Sequence, residues 1–423
     1  EFEPLLGIVE GIEFLFADEP AYRGTMGEWR LWRAVQRLGV DAIADLESSS
    51  RSRRLAFSLK PLRRARIGVL ITGTEVFNGL IEDKFLPVMT RKAAIYNCDI
   101  IHSAIVPDDE ERIVAEVELM KEKGVQVKGH PLCWHTGCVN WLMEYDNATI
   151  LDKQLKRIER DVTQFKGTID MWDVINEVVI MPDYDRYDNA ITRICLEHGR
   201  VNLIKKVFEE AKAANPDSTL LLNDFNTSVA YEILIDGALQ AGAPIDVIGI
   251  QSHQHQGYWG DDKLYQVLDR YSRFNMPIHF TENTFVSGDL LPAHIVDLND
   301  WQPDVWPSTP EGEERQSKEW ENLYRILFEH PLIEAVTGWD FADGMWLNAP
   351  SGVIYKDNTV KPVYKMLHKL FKEEWWTDVE VCTDENGMVY VEGFKGDYIL
   401  KNGEREASFD LRTSEEEVLT VVL

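Results

Sequence analysis

Positive charge is scarce in this chain. Its 423 residues include 44 Lys and Arg against 72 Asp and Glu, a net charge of −28. That balance argues against a broad basic surface for DNA, RNA or an anionic membrane. Cysteine is also scarce: Cys98, Cys133, Cys138, Cys195 and Cys382 are scattered and odd in number, so they form no disulfide framework. Cys133 and Cys138 could pair locally, or all five could be free. Two C-x-x-C pairs are missing, so no structural zinc is expected. No uncharged apolar run reaches the roughly 18 residues that a membrane span needs. The phosphate-binding glycine patterns of nucleotide folds are absent, and so is the G-x-S-x-G elbow of serine hydrolases. The chain opens on Glu1-Phe2 without a signal peptide, which reads as a mature or trimmed form. Secretion is the expectation, and so is a monomer.

What is present is apolar and aromatic. The chain is 44% hydrophobic, with 13 Trp, 14 Tyr and 17 Phe, enough for a large core. The stretch Met171-Trp172-Asp173-Val174-Ile175-Asn176-Glu177 organises the rest. A largely apolar run that ends in a polar pair suits a buried parallel strand with its functional end exposed. Met276-Pro277-Ile278-His279-Phe280-Thr281-Glu282 repeats the pattern. Between residues 66 and 372 the chain alternates strand-like and helical segments, roughly eight units. Strands are expected at 67–72, 100–106, 125–129, 171–176, 219–222, 247–250, 277–281 and 333–337. Helices are expected at 85–95, 108–123, 148–165, 191–214, 228–241, 261–274 and 312–329. Such alternation implies an α/β protein with a parallel sheet, and eight units suit a closed (β/α)8 TIM barrel. Residues 1–65 have no readable fold beyond a helical pattern at 28–46, and their arginines read as a solvated face or linker. After residue 376 the chain turns β-rich, with Asn386-Gly387 and Asn402-Gly403 as hairpin signals. The division is therefore 1–65, a barrel over 66–375, and a small antiparallel β appendage over 376–423.

The residues that follow each strand define the candidate site: His130, Trp134, His135, Asn176, Glu177, Asn223, Asp224, Gln251, His253, Glu282, Trp339 and, further on, Trp346. A single Glu at a strand end is more often a surface carboxylate, and a single Trp is more often core. The joint pattern at successive strand ends reverses those odds. Amides and imidazoles suit sugar hydroxyls, indole faces suit sugar rings, and two carboxyls suit glycoside cleavage. Glu177, beside apolar and Trp residues, is expected to hold its proton. Glu282 is expected to be ionised, with His253 as a donor.

These motifs resemble the family 10 glycoside hydrolases, endo-β-1,4-xylanases built on a (β/α)8 barrel. The matching segments are Gly129-His130-Pro131-Leu132-Cys133-Trp134-His135, Trp172 to Glu177, Leu222 to Asn226, Gly249 to His253, Thr281-Glu282, and Trp339-Asp340 through Trp346 to Gly352. The resemblance implies Glu177 as general acid/base and Glu282 as nucleophile of a retaining mechanism without metal or cofactor. It implies xylan or xylo-oligosaccharide as substrate, Asn176 near the sugar 2-hydroxyl, and His253 orienting Glu282. It places His130, Trp134 and Gln251 at the cleavage point, with Trp339 and Trp346 as further sugar contacts. Two departures stand out. Residues 98–105 lack the Glu-Asn-x-Met-Lys segment usual on the second strand, and Asn283-Thr284 follows the nucleophile where Leu-Asp is usual. A barrel that binds xylan without cleaving it and a retaining β-glycanase of other specificity are the competing readings. A barrel hydrolase acting on something other than carbohydrate is a third.

Overall fold

The computed structural model describes residues 66–72, 99–106, 127–183, 188–384, 387–394, 396–402 and 405–411, with single positions at 112, 115, 119, 419 and 421. The expectations for 1–65, for the helix at 85–95 and for most of 108–123 lie outside the described residues.

The main body is a parallel α/β arc. Its strands are β3 (Met171–Asn176), β4 (Thr219–Asp224), β5 (Val247–Ile250), β7 (Ile278–Phe285) and β8 (Ile333–Gly338), each hydrogen-bonded in parallel to the next. A two-residue strand, β6 (His253–Gln254), continues beyond β5 and also pairs with β7. Before β3, Gly129 bridges to Trp172 and Cys133 to Ile175, so residues 129–133 add one more parallel step. Helices α1 (Asn147–Gln164), α2 (Ala190–His198), α3 (Arg200–Ala214), α4 (Val229–Gln240), α5 (Asp261–Ser272), α6 (Pro310–Phe328) and α7 (Pro362–Lys369) follow the strands in alternation. The apolar faces of strands and helices merge into one core, in which Val174, Ile175, Leu222, Ile250 and Phe280 are fully buried. Burial on both faces is why these strands read as continuous apolar runs.

Two earlier strands, β1 (Arg66–Thr72) and β2 (Asp99–Val106), pair in parallel with each other. No described pairing joins them to the larger sheet. The single helix expected over 191–214 is two helices. Gly199 sits at φ 76°, closing α2 and opening α3; a glycine after a helix takes that left-handed conformation at no steric cost.

The C-terminal appendage is a two-stranded antiparallel sheet, β9 (Gly396–Asn402) with β10 (Arg405–Leu411). Within the β-rich stretch after residue 376, segments 379–382 and 388–393 form no strand. Val379, Val381, Met388 and Tyr390 are exposed there, so their β-branched and aromatic pattern finds no partner to bury against. Phe328 of α6 stacks on Trp375 with ring centres 3.9 Å apart and meets Phe394 of the C-terminal segment edge-on at 6.4 Å.

Candidate active site

The C-terminal ends of the parallel strands bring the expected residues together. β3 delivers Asn176 and then Glu177, whose backbone sits at φ 57° and donates its N–H to Asn223 O at 2.9 Å. A side-chain-bearing residue in that left-handed region costs of order 1–2 kcal/mol, a strain often held at functional sites. Trp134 Nε1 donates to Glu177 Oε2 at 3.0 Å, and Gln251 Nε2 donates to Glu177 Oε1 at 3.2 Å. Burial pushes the Glu177 carboxyl up to about 7, against the pull of those two hydrogen bonds, and the charge of Glu282 adds to the rise.

A chain of amides connects the two carboxyls. Gln251 Nε2 also donates to Asn176 Oδ1 at 3.0 Å, and Asn223 Nδ2 donates both to Asn176 Oδ1 and to Glu282 Oε1, each at 2.9 Å. Thr281 Oγ1 donates to Asn223 Oδ1 at 2.8 Å and so fixes which way that amide faces. On the far side of Glu282, His253 Nε2 lies 3.0 Å from Oε2. Donors therefore meet both oxygens of each carboxyl, and burial raises Glu177 in spite of its own. A carboxyl raised by burial beside a second, hydrogen-bonded one can serve as proton donor and partner.

Aromatic rings wall the site. His130 lies 6.0 Å from Trp134 and 6.3 Å from Trp339, centre to centre. His253 lies 5.8 Å from Trp339 and 4.8 Å from Trp346. Trp339 is 42% exposed, as a ring offered to a ligand should be. Of the residues read from the sequence, His130, Trp134, Asn176, Glu177, Asn223, Gln251, His253, Glu282, Trp339 and Trp346 thus fall in one cluster, with His135 buried 3.7 Å from Glu177 Oε2.

Several supporting residues carried no sequence signal. Asp173, buried within β3, anchors His130 through Oδ2 to Nδ1 at 2.8 Å and also meets Lys128 at 2.7 Å. Asp224, which the sequence did single out, accepts Val179 N–H at 3.0 Å and Asn226 N–H at 2.9 Å, which pins the turn that carries Glu177. Burial pushes Asp224 up to about 7, while those backbone donors oppose it. Lys361 is fully buried and ties together Ser287 Oγ, Asp343 Oδ1 and Gly352 O at 2.7–3.0 Å, bracing the loop that bears Trp346. Behind Trp346, ring centre to ring centre 5.2 Å, lies His255, which burial pushes down to about 3 and so keeps neutral. Aspartates inside strands and a lysine far along the chain look like ordinary core or surface residues until the fold assembles them.

Cys133, Cys138 and Cys195 are free, so the local pairing of Cys133 with Cys138 does not occur. Among the described residues no group of three or more His, Cys, Asp or Glu side chains could hold a metal.

The glycosyl hydrolase family 10 model matches residues 111–370, more than half of the chain. The chain belongs to that family. As a family 10 member it is a glycoside hydrolase with the α/β barrel fold of the family. It is 27% identical over 246 residues to endo-1,4-beta-xylanase B of Paenibacillus barcinonensis, covering 55% of this chain and 70% of that one. It is 24% identical over 365 residues to anti-sigma-I factor RsgI6 of Acetivibrio thermocellus, covering 81% of this chain and 43% of that one. Among solved structures, native xylanase 10B of Thermotoga maritima superposes with a TM-score of 0.55 at 21% identity, covering 76% of this chain and 98% of that one. A second model, the probable molybdopterin binding domain, matches residues 68–127. That segment contains most of β1 and all of β2. The departure at 98–105 from the family 10 pattern therefore falls in a stretch that resembles something else.

Proposed function

We propose that this family 10 hydrolase is a retaining endo-β-1,4-xylanase. The observation that carries the reading is the pair of carboxyls joined by one amide chain, Glu177 pushed up by burial to about 7 and Glu282 held between Asn223 and His253. Glu177 gives its proton to the leaving glycosidic oxygen as that bond breaks. Glu282 attacks the anomeric carbon and forms a glycosyl ester. Glu177, now ionised, takes a proton from water as the water attacks the same carbon and releases Glu282. Two inversions retain the anomeric configuration. Asn176 and Gln251 hold the sugar hydroxyls nearest the bond, and His130, Trp134, Trp339 and Trp346 form the walls of that subsite. Xylan is favoured as substrate by the xylanase relatives. Secretion, a monomeric state and the absence of a nucleic-acid or membrane partner belong to the same reading; among the described residues no helix is long and apolar enough to cross a membrane.

A regulatory reading, in which the barrel senses xylan, is favoured by the match to an anti-sigma factor over most of the chain. The presence of both carboxyls weighs against a barrel that only binds. Product release from arabinoxylan, cellulose and mixed-linkage glucan, by wild type and Glu282→Ala, separates these readings. The expected result is cleavage of arabinoxylan, loss of roughly five orders of magnitude in the variant, and retained configuration in the first product formed. A folded wild type that binds xylan and releases nothing would overturn the enzyme reading.

The extent of the catalytic unit is also a proposal. The sequence places its start near residue 66. The separate β1–β2 pairing and a family 10 match that begins at residue 111 instead favour a later start, with the second match at 68–127 overlapping it over 111–127.

A further inference from the structure

The short strand β6 has one described pairing, which sets His253 opposite Thr284 and Gln254 opposite Phe285 of β7. The Thr284 N–H also donates to Ser252 O at 3.1 Å, so backbone bonds fix the two residues against each other. His253 Nδ1 then lies 2.8 Å from Thr284 Oγ1, and Nε2 lies 3.0 Å from Glu282 Oε2. Glu282 and Thr284 are two positions apart on one strand and meet the imidazole at its two nitrogens. Thr284 is fully buried.

The protons in this trio have one arrangement that adds no charge. An ionised carboxylate cannot donate, so Nε2 carries the proton in the bond to Glu282. A threonine hydroxyl brings a proton of its own, which Nδ1 can accept. We infer that Thr284 is a positioning residue for this reaction: its hydroxyl donates to His253 Nδ1 and holds the ring in the orientation whose Nε2–H reaches Glu282 Oε2. The inference deepens the two-carboxylate reading and rests on it. It also has a consequence for the intermediate. The negative charge of Glu282 disappears when its oxygen bonds to the anomeric carbon. A neutral imidazole is not then stranded as a lone buried cation, as a doubly protonated one would be.

The test compares Thr284→Val with Thr284→Ser. Valine keeps the volume and loses the donor; serine keeps the donor and loses a methyl. If the hydroxyl orients His253, Thr284→Val lowers kcat roughly tenfold to a hundredfold with KM little changed, and Thr284→Ser stays near wild type. A packing role predicts the reverse order, because serine leaves a cavity and valine does not. Both variants are checked for folding by thermal unfolding. A second readout needs no activity: 15N NMR of the wild type should show His253, identified by its loss in His253→Gln, protonated at Nε2 and bare at Nδ1. Nε2 should keep its proton in both variants, while the Nδ1 resonance should stay in place in Thr284→Ser and shift to that of an unbonded nitrogen in Thr284→Val. Full activity in Thr284→Val, or a protonated Nδ1 in the wild type, overturns the inference. If the wild type cleaves no glycan, the catalytic reading fails on its own, and the NMR pattern still decides the hydrogen-bond assignment.

Discussion

At the scale of single residues, Glu177 concentrates the chemistry and its cost. Its carboxyl rises from an ordinary 4.5 to about 7 because burial disfavours the charge. Between those values the folded protein keeps a proton that the unfolded chain releases. Stability therefore falls as pH rises through that window and settles at its lower level above about 7. At 1.36 kcal/mol for each pH unit, the cost above pH 7 is at most about 3 kcal/mol. Glu177→Gln removes the ionisation while leaving an oxygen for Trp134 Nε1. The variant is expected to be more stable than wild type at pH 8 by up to that amount, and no more stable at pH 4. Denaturant unfolding at the two pH values measures this. The same titration sets the activity: kcat/KM of the wild type should fall above about pH 7, as the acid loses its proton. Equal stabilities at pH 8 would mean that Glu177 ionises without penalty and is not the acid.

At the scale of elements, the strand ends are aligned by close backbone contacts as much as by side chains. Gly249 of β5 passes so near β4 that a Cβ there would lie 2.5 Å from Asn223 Oδ1 and 3.1 Å from Asn223 Cα. Asn223 is the amide that serves both Asn176 and Glu282. Gly249→Ala should push that amide out of line, with kcat falling roughly a hundredfold while KM changes less. Unchanged kinetics in a folded variant would show that β4 and β5 can slide apart. Much at this scale was legible in the sequence, since the core strands are buried on both faces and announce themselves as apolar runs ending in polar pairs. The strand at 247–250 was read to the residue, and the site residues converge. What stayed hidden lacks a local signal. Gly199 splits a helix whose amphipathic pattern continues on both sides. Thr284 was visible only as a departure from Leu-Asp, because its meaning depends on a two-residue strand that no periodicity could reveal. Asp173 and Lys361 act across 43 and 74 positions of sequence.

At the scale of the whole molecule, the open question is how many cooperative units the chain contains. Alternation of strands and helices runs from residue 66 onward, which is why the sequence reads as one barrel from there. Alternation alone cannot distinguish one barrel from two parallel α/β units in succession, since each has the same local period. Among the described residues, β1 and β2 bond to each other, and the strand bonds from residue 129 onward run to β3 and its successors. If the chain is two units, calorimetry should give two transitions. A xylo-oligosaccharide at a hundred times its Kd stabilises the unit that binds it by about 2.7 kcal/mol. For a unit of about 250 residues that is a rise of roughly 5–10 °C in one transition, with the other left in place. A single transition that moves as a whole with the oligosaccharide would instead put residues 66–127 inside the catalytic fold, with the second family match reflecting only a shared strand-and-helix pattern.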